Sequence, residues 1–212
     1  MSRKERPKKI RTFVVDFDDY CDETLGELRY LTRLKEQYED FKVTLFTIPH
    51  PSRTSDATIA AAKSLGDWIT LAPHGWWHSR GECLSWQSDE ATEKIQAAAE
   101  RGIDAPIFRA PAWLLDGEIY KACGELGYSV ASHSVYRIPR TGIAEYVYND
   151  VTLRKKGTRG VHGHITPVAG NYIGDMDANG SLTFGDRAKK RNFAFCHEAT
   201  IIQPTRAAGL IL

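Results

Sequence analysis

Short β-branched and aromatic runs alternate with helical stretches of about ten residues or more, and this order restricts the fold more than any other feature. The runs are Ile10–Phe17, Phe41–Ile48, Trp68–Ala72, Ala105–Phe108 and Tyr128–Ala131. Between them lie Thr24–Asp40, Ser55–Leu65, Ser88–Arg101 and Asp116–Leu126. In the first of these stretches Leu25, Leu28, Leu31, Leu34 and Tyr38 recur close to helical spacing. Thr24, Ser55 or Asp56, and Ser88-Asp89-Glu90 supply helix starts, and Gly66, Gly102 and Gly127 supply stops. Strands separated by helices of this length imply βα units and a mainly parallel sheet. Ala144–Val147, Gly160–Ile165 and Phe193–Cys196 add further apolar pieces, Ala199–Ile202 offers another, and 166–192 read as loop.

Polar residues gather just past the C-terminal ends of these strands, the end at which β/α barrels build their chemistry. The first strand runs into Asp16, Asp18 and Asp19, followed by Asp22 and Glu23. Burying unpaired carboxylates at a strand end is costly, and a metal or a basic partner resolves it. Asp22 and Glu23 are expected to be acids at the start of the next helix, facing its dipole. The third strand ends at Pro73 and leads into His74-Gly75-Trp76-Trp77-His78. Two neutral imidazoles with a three-residue gap can reach one divalent ion from a helical turn or from a folded loop, and Pro73 and Gly75 favour the loop. Arg109 follows the fourth strand, and His164 follows His162 on a late one.

Composition narrows the function classes. With 212 residues there is enough chain for one sizeable core, expected as a single domain over 10–212 behind a basic flexible segment, 1–9. A net charge of +1 gives no reason to expect a nucleic acid as partner, and the short basic start reads as a solvated terminus. No apolar run approaches the roughly 18 residues of a membrane helix, and no signal peptide is visible. The expected location is therefore the cytoplasm, with release by lysis or association with a virion as the alternative. Cys21, Cys83, Cys123 and Cys196 are scattered without a Cys-x2-Cys pair, which argues against a cysteine zinc site and a disulfide framework.

Three segments together resemble the NodB-type polysaccharide deacetylases, carbohydrate esterase family 4. They are Phe17-Asp18-Asp19 at the end of the first strand, His74-x3-His78, and Phe108-Arg109-Ala110-Pro111 after a later strand. The resemblance spans about residues 10–165. It implies an α/β fold, a distorted NodB-like (β/α) barrel of about seven strands with its active site at the strand C-terminal ends. It further implies a hydrolase that removes an N-acetyl or other N-acyl group from an amino-sugar glycan or its precursor. Asp19, His74 and His78 would bind one divalent metal, zinc first, with cobalt or nickel as alternatives. Asp18 would be the general base, Arg109 its orienting partner and His164 the general acid. The backbone N–H of Ala112 would help hold the oxyanion, with Trp113 and Trp76 beside the substrate.

The chain departs from the family pattern in several places. Tyr20 stands where a glycine follows the aspartate pair, and Gly75 stands where a hydroxyl residue often orients the histidine loop. Ala112 replaces an aromatic residue, with Trp113 one position later, and no Asp-x2-Asp-Trp element is found to support the arginine. His162 and His164 compete for the acid role, and both lie on one face of a strand. Asp16 shares the face of Asp18 in a regular strand and is an alternative base. His197 is a lesser candidate ligand, and His50 and His133 read as structural or solvent-facing. Trp76, Trp77, Trp86 and Trp113 line a groove or pack on the core. An amidase acting on a non-sugar amide and a catalytically silent carbohydrate-binding protein are the alternative functions.

Overall fold

The first strand is the centre of the molecule. In a computed structural model that describes residues 11–132, 145–147, 149–150, 160–165 and 193–196, β1 (Arg11–Tyr20) is followed by a 3-10 helix (Asp22–Glu27) and α1 (Leu28–Gln37). β2 (Val43–Thr47), α2 (Asp56–Ser64) and β3 (Ile69–Pro73) come next, then a short 3-10 helix (Glu82–Leu84) and α3 (Ser88–Glu100). β4 (Ile107–Phe108), a 3-10 turn (Pro111–Trp113) and α4 (Gly117–Leu126) lead to β5 (Ser129–Ser132). β6 (Glu145–Val147), β7 (Asn149–Asp150), β8 (Gly160–His164) and β9 (Phe193–Cys196) complete the set. The segment 1–9, the stretch 166–192, the strand expected at Ala199–Ile202, and His133 and His197 lie outside the described residues.

β1 pairs with β2 on one edge. On its other edge β9 lies against Arg11 to Val14 and β8 against Val14 to Asp18. All pairings are parallel, as the alternation of strands and helices requires. The expected α/β fold with a parallel sheet is present, and the described residues do not close the expected barrel of about seven strands. Among the described residues the strands form a six-stranded sheet, β3-β2-β1-β8-β7 with β9 beside β1, and a three-stranded sheet, β4-β5-β6. A single bridge between His74 and Arg109 joins them. Pro73 and Pro106 have no N–H to donate, so little ladder can form between β3 and β4. What remains is Ala105 N–H to Leu71 O (2.9 Å), Arg109 N–H to Pro73 O (3.1 Å) and Gly75 N–H to Arg109 O (3.0 Å).

Side chains alternate across β1. Val15 and Phe17 face outward into a core with Leu31 and Leu34 of α1, Leu45, Ile59 and Leu71. Val14 faces inward onto Phe46, Ala72, Ile107 and Ala131. The inward face then changes character along the strand, from Val14 to Asp16 and Asp18, all buried. The apolar floor thus gives way to a charged layer at the C-terminal end. A second outer core packs Phe108 and Val130 under Ile95, Ile119, Tyr120 and Cys123 of α3 and α4. Each fully buried aliphatic or aromatic side chain contributes about 1.5–3 kcal/mol.

The helix expected over Thr24–Asp40 begins later, at Leu28. Thr24 Oγ1 accepts from Cys21 N–H (2.9 Å) and donates to Asp19 O (3.0 Å), which holds the preceding turn tight against the strand end. Asp22 is not a plain helix-terminal acid. Its Oδ1 accepts from Ser55 N–H (2.8 Å) and Ser55 Oγ (2.9 Å), fastening this turn to the N-cap of α2. α4 is opened by Asp116, which accepts from Glu118 N–H (3.0 Å), and is closed as expected by Gly127 in the left-handed region (φ 74°). No helix among the described residues is long and apolar enough to cross a membrane. Cys21, Cys83 and Cys123 are buried free thiols, and burial pushes Cys123 up to about 12, so it stays protonated and a poor nucleophile.

Candidate active site

The two aspartates reach the same site because β1 is irregular where they lie. Phe17 is opposite Leu45 and Tyr20 is opposite Thr47, so β1 takes three steps where β2 takes two. Such a bulge re-aims a side chain that alternation would send to the other face. Asp19 sits in it at φ 71°. As a result both carboxylates face His74, whose Nε2 is 3.7 Å from Asp18 Oδ2 and 3.5 Å from Asp19 Oδ1. Asp19, His78, Ala112 and Trp113 are the non-glycine residues with positive φ among the described residues. All four are residues picked out from the sequence. Left-handed backbone is costly for such side chains and persists where surrounding contacts enforce it, commonly at functional sites.

His74 and His78 stand on a folded loop, the alternative that Pro73 and Gly75 favoured. His74 is buried, and its Nδ1–H donates to Arg109 O (3.1 Å), which leaves Nε2 with its lone pair toward the aspartates. His78 Nε2 is 2.8 Å from Asp19 Oδ1. Even so, Asp19 Oδ1 is buried and accepts no hydrogen bond of proper geometry. One ligand atom from each of Asp19, His74 and His78 lies within 4.8 Å of the others. One carboxylate oxygen and two imidazole nitrogens converging around an orphaned oxygen fit a divalent transition metal such as zinc. Burial opposes the charge on Asp19, but nearby His74 and His78 outweigh it and hold the carboxyl well below the ordinary range. Burial likewise pulls His74 down, and Asp18 and Asp19 outweigh it and raise it.

Behind this triad Arg109 is fully buried, as is Asp16, and Asp18 nearly so. Arg109 Nη1 donates to Asp16 Oδ1 (2.6 Å) and to Asp18 Oδ1 (2.5 Å). The guanidinium carbon is 3.5 Å from the centre of the Phe46 ring and 4.6 Å from that of Trp113. Burial pushes Asp18 up, but Arg109, with His74 and His162, more than offsets it, so the carboxyl sits below its ordinary value. Asp18 is thus an ionised carboxylate beside the candidate metal triad with one oxygen held by Arg109, the arrangement a general base needs.

His162 and His164 both face this layer from β8, opposite Asp16 and Asp18 in register. His162 Nδ1 is 2.8 Å from Asp16 Oδ1 and its Nε2 is 3.7 Å from Asp18 Oδ2. His164 Nδ1 is buried without a hydrogen-bond partner among the described residues, and burial is the main cause that lowers its pKa. Asp18, His162 and His164 also bring ligand atoms within 4.8 Å of one another. The fixed charge of Arg109 against Asp18 disfavours a second dication there.

Trp113 lies edge-on to His162, with ring centres 5.2 Å apart, so it lines the site. Ala112 beside it is exposed at φ 53°. Trp76 instead packs against the outer core that holds Cys83 and Trp86. Trp77 is the more exposed of the pair, at 49%, and stacks on His50. Sequence reasoning missed Glu82. Its Oε1 accepts from Trp76 N–H (2.9 Å) and His78 N–H (3.0 Å), and its Oε2 from Trp77 N–H (3.1 Å). This carboxylate ties down three successive amides of the loop that lacks the usual hydroxyl residue. A side chain on Gly75 (φ 62°) would collide with Glu82 and come within 2.6 Å of Pro111 Cγ. The only sequence signal was an acid four residues beyond His78. Glu82→Ala is expected to weaken zinc binding about 10–100-fold through misplacement of His78, as loss of an outer-shell partner does. Calorimetric titration with zinc checks it.

No family model matches the chain, and no curated protein matches it. Solved structures do. A peptidoglycan N-acetylglucosamine deacetylase in complex with 4-naphthalen-1-yl-N-oxidanyl-benzamide is 15% identical, with 94% of this chain and 91% of that one covered and a TM-score of 0.65. A family 4 acetyl xylan esterase from Clostridium thermocellum, in complex with a cobalt ion, is 16% identical over 91% of this chain and 90% of that one (TM-score 0.62). A family 4 pseudoenzyme from Bacillus anthracis is 13% identical over 93% and 66% (TM-score 0.62). The chain has the NodB-like fold of the family 4 carbohydrate esterases. One of these neighbours being a pseudoenzyme, the fold alone does not carry the activity, and the reading rests on the site.

Proposed function

We propose that the chain is a metal-dependent N-deacetylase acting on an amino-sugar glycan or its precursor. The observation that carries this reading is the buried Asp18, held by Arg109, beside the convergent Asp19, His74 and His78. Asp19, His74 and His78 would hold the ion. When bound, a divalent cation there supplies Lewis acidity to an acyl oxygen and to a water beside it. Asp18 takes a proton from the attacking water, and Arg109 keeps the carboxylate ionised and aimed. A histidine of β8 returns a proton to the leaving nitrogen. The N–H of Ala112 is assigned to the oxyanion, and the face of Trp113 to the sugar.

One solved neighbour is an acetyl xylan esterase and two are peptidoglycan deacetylases, which supports an acetylated glycan as the substrate class. The experiment is acetate release from N-acetylglucosamine oligomers, peptidoglycan fragments, acetylated xylan and simple N-acetyl amides, by chain stripped of metal and reloaded with zinc or cobalt. Release from the amino-sugar substrates that depends on the metal supports the reading. Release confined to simple amides points to an amidase. Sugar binding without release under every condition would leave a binding protein.

A further inference from the structure

The strongest unused feature of the molecule is a buried carboxylate three residues before the metal-ligand candidate on β1. Asp16 is fully buried, and its Oδ1 lies 2.6 Å from Arg109 Nη1 and 2.8 Å from His162 Nδ1. Burying a carboxylate is expensive, and both partners of Asp16 converge on Oδ1, while its Oδ2 is buried with no hydrogen-bond partner among the described residues. A carboxylate offers no proton, so His162 Nδ1 must carry the hydrogen in this pair even though Arg109 Nη1 also lies 3.2 Å from that nitrogen. That fixes the tautomer. The lone pair sits on Nε2, which is the nitrogen 3.7 Å from Asp18 Oδ2. His164 has no such arrangement, because its Nδ1 meets no partner among the described residues.

Building on the deacetylase reading, we infer that His162, rather than His164, delivers the proton to the leaving nitrogen, and that Asp16 is its positioning residue. Asp18 removes a proton from the attacking water as the oxygen bonds to the acyl carbon. Asp18 Oδ2 and His162 Nε2 stand 3.7 Å apart, beyond direct hydrogen-bond reach, so that proton passes to Nε2 through one bridging water, which is returned unchanged. As the C–N bond breaks, its electron pair goes to nitrogen, which takes the proton from His162 Nε2. One water is consumed, a carboxylic acid and an amine are formed, and Asp18 and His162 return to their starting states. Asp16 holds Nδ1–H throughout and stabilises the imidazolium while it exists. Through Arg109 the same carboxylate is coupled to the base, so one buried group orients both proton-transfer residues. The rings of His162 and Trp113 meet in a T-shaped contact, with centres 5.2 Å apart.

Leaving-group dependence tests this. An N-acetyl amine needs a proton to leave, whereas 4-nitrophenolate leaves without one. With metal content confirmed equal to wild type, His162→Gln should lose about 10²–10⁴-fold in kcat/KM on the N-acetyl substrate, the usual worth of a positioned acid. Its hydrolysis of 4-nitrophenyl acetate should fall less than about tenfold by the same reasoning. Asp16→Asn should show the same split with a smaller amide loss, and His164→Asn should leave the amide-to-ester ratio unchanged. If Asp16→Asn fails to fold, the His162 and His164 variants still decide the assignment. A split in His164→Asn instead, or parallel loss of both substrates in His162→Gln, overturns the assignment while leaving the deacetylase reading intact. So does a drop from two bound metals to one in His162→Gln, which would make His162 a ligand. A wild-type chain loaded with metal that hydrolyses neither substrate overturns the deacetylase reading, and the assignment falls with it.

Discussion

Arg109→Leu is expected to lower the unfolding free energy by about 3–5 kcal/mol, the usual cost of removing one partner from a buried ion pair. The guanidinium is fully buried and donates to two buried carboxylates. Leucine removes the positive charge and leaves Asp16 and Asp18 facing one another with no counter-ion from this strand. It also loses the packing of the guanidinium between Phe46 and Trp113. Chemical denaturation followed by tryptophan fluorescence measures the change. Adding Asp16→Asn to Arg109→Leu should recover part of the loss, because groups in one network are not additive. Full stability in Arg109→Leu would mean that the three charges are not buried together.

Asp18→Asn should lower kcat on an N-acetyl substrate by about 10²–10⁴-fold, the range for loss of a positioned base. An amide keeps the size of the carboxylate and can still accept from Arg109 through its oxygen, but it cannot take a proton from water. Metal content should be unchanged, since Asp18 lies beside the triad of Asp19, His74 and His78 and outside it. Stability should change little in comparison with Arg109→Leu, because Arg109 keeps its contact with Asp16. A variant that retains wild-type turnover would remove Asp18 from the base role and bring forward Asp16 as the alternative.

Much of the fold was legible in local patterns. The strand and helix order was readable because the apolar periodicity, the caps at Ser55 and Asp116 and the stop at Gly127 all act within a few residues. The parallel pairing followed from the helices between strands. The interruption between the two sheets was not anticipated, although Pro73 and Pro106 stood in the sequence, because which strands neighbour one another depends on the whole topology. The bulge at Asp18 and Asp19 was equally hidden, since it is defined by the step count on β2. Strict alternation would have parted the two aspartates, and the left-handed turn at Asp19 unites them.

The site divides in the same way. Asp18, Asp19, His74, His78 and Arg109 could be picked out because polar residues at the ends of apolar strands are conspicuous. Glu82 was not singled out, because its partners are backbone amides of the loop, and Asp16 was read only as an alternative base, because its partner His162 lies 146 residues away in the chain. For Trp76 both a place beside the substrate and packing on the core were open from the sequence, and it is partly buried against the outer core, with its amide donating to Glu82.

Metal content of the purified chain, beside Asp19→Ala and His78→Ala, tests the central claim most directly. The expected result is one tightly bound divalent ion per chain, or one after reconstitution with zinc, cobalt or nickel, lost from both variants. That result joins the end of β1 to the histidine loop through a shared ion, as the converging oxygen and nitrogen atoms require. A chain that takes up no ion under any of these conditions, or variants that keep it in full, would contradict the metal centre and the hydrolysis built upon it.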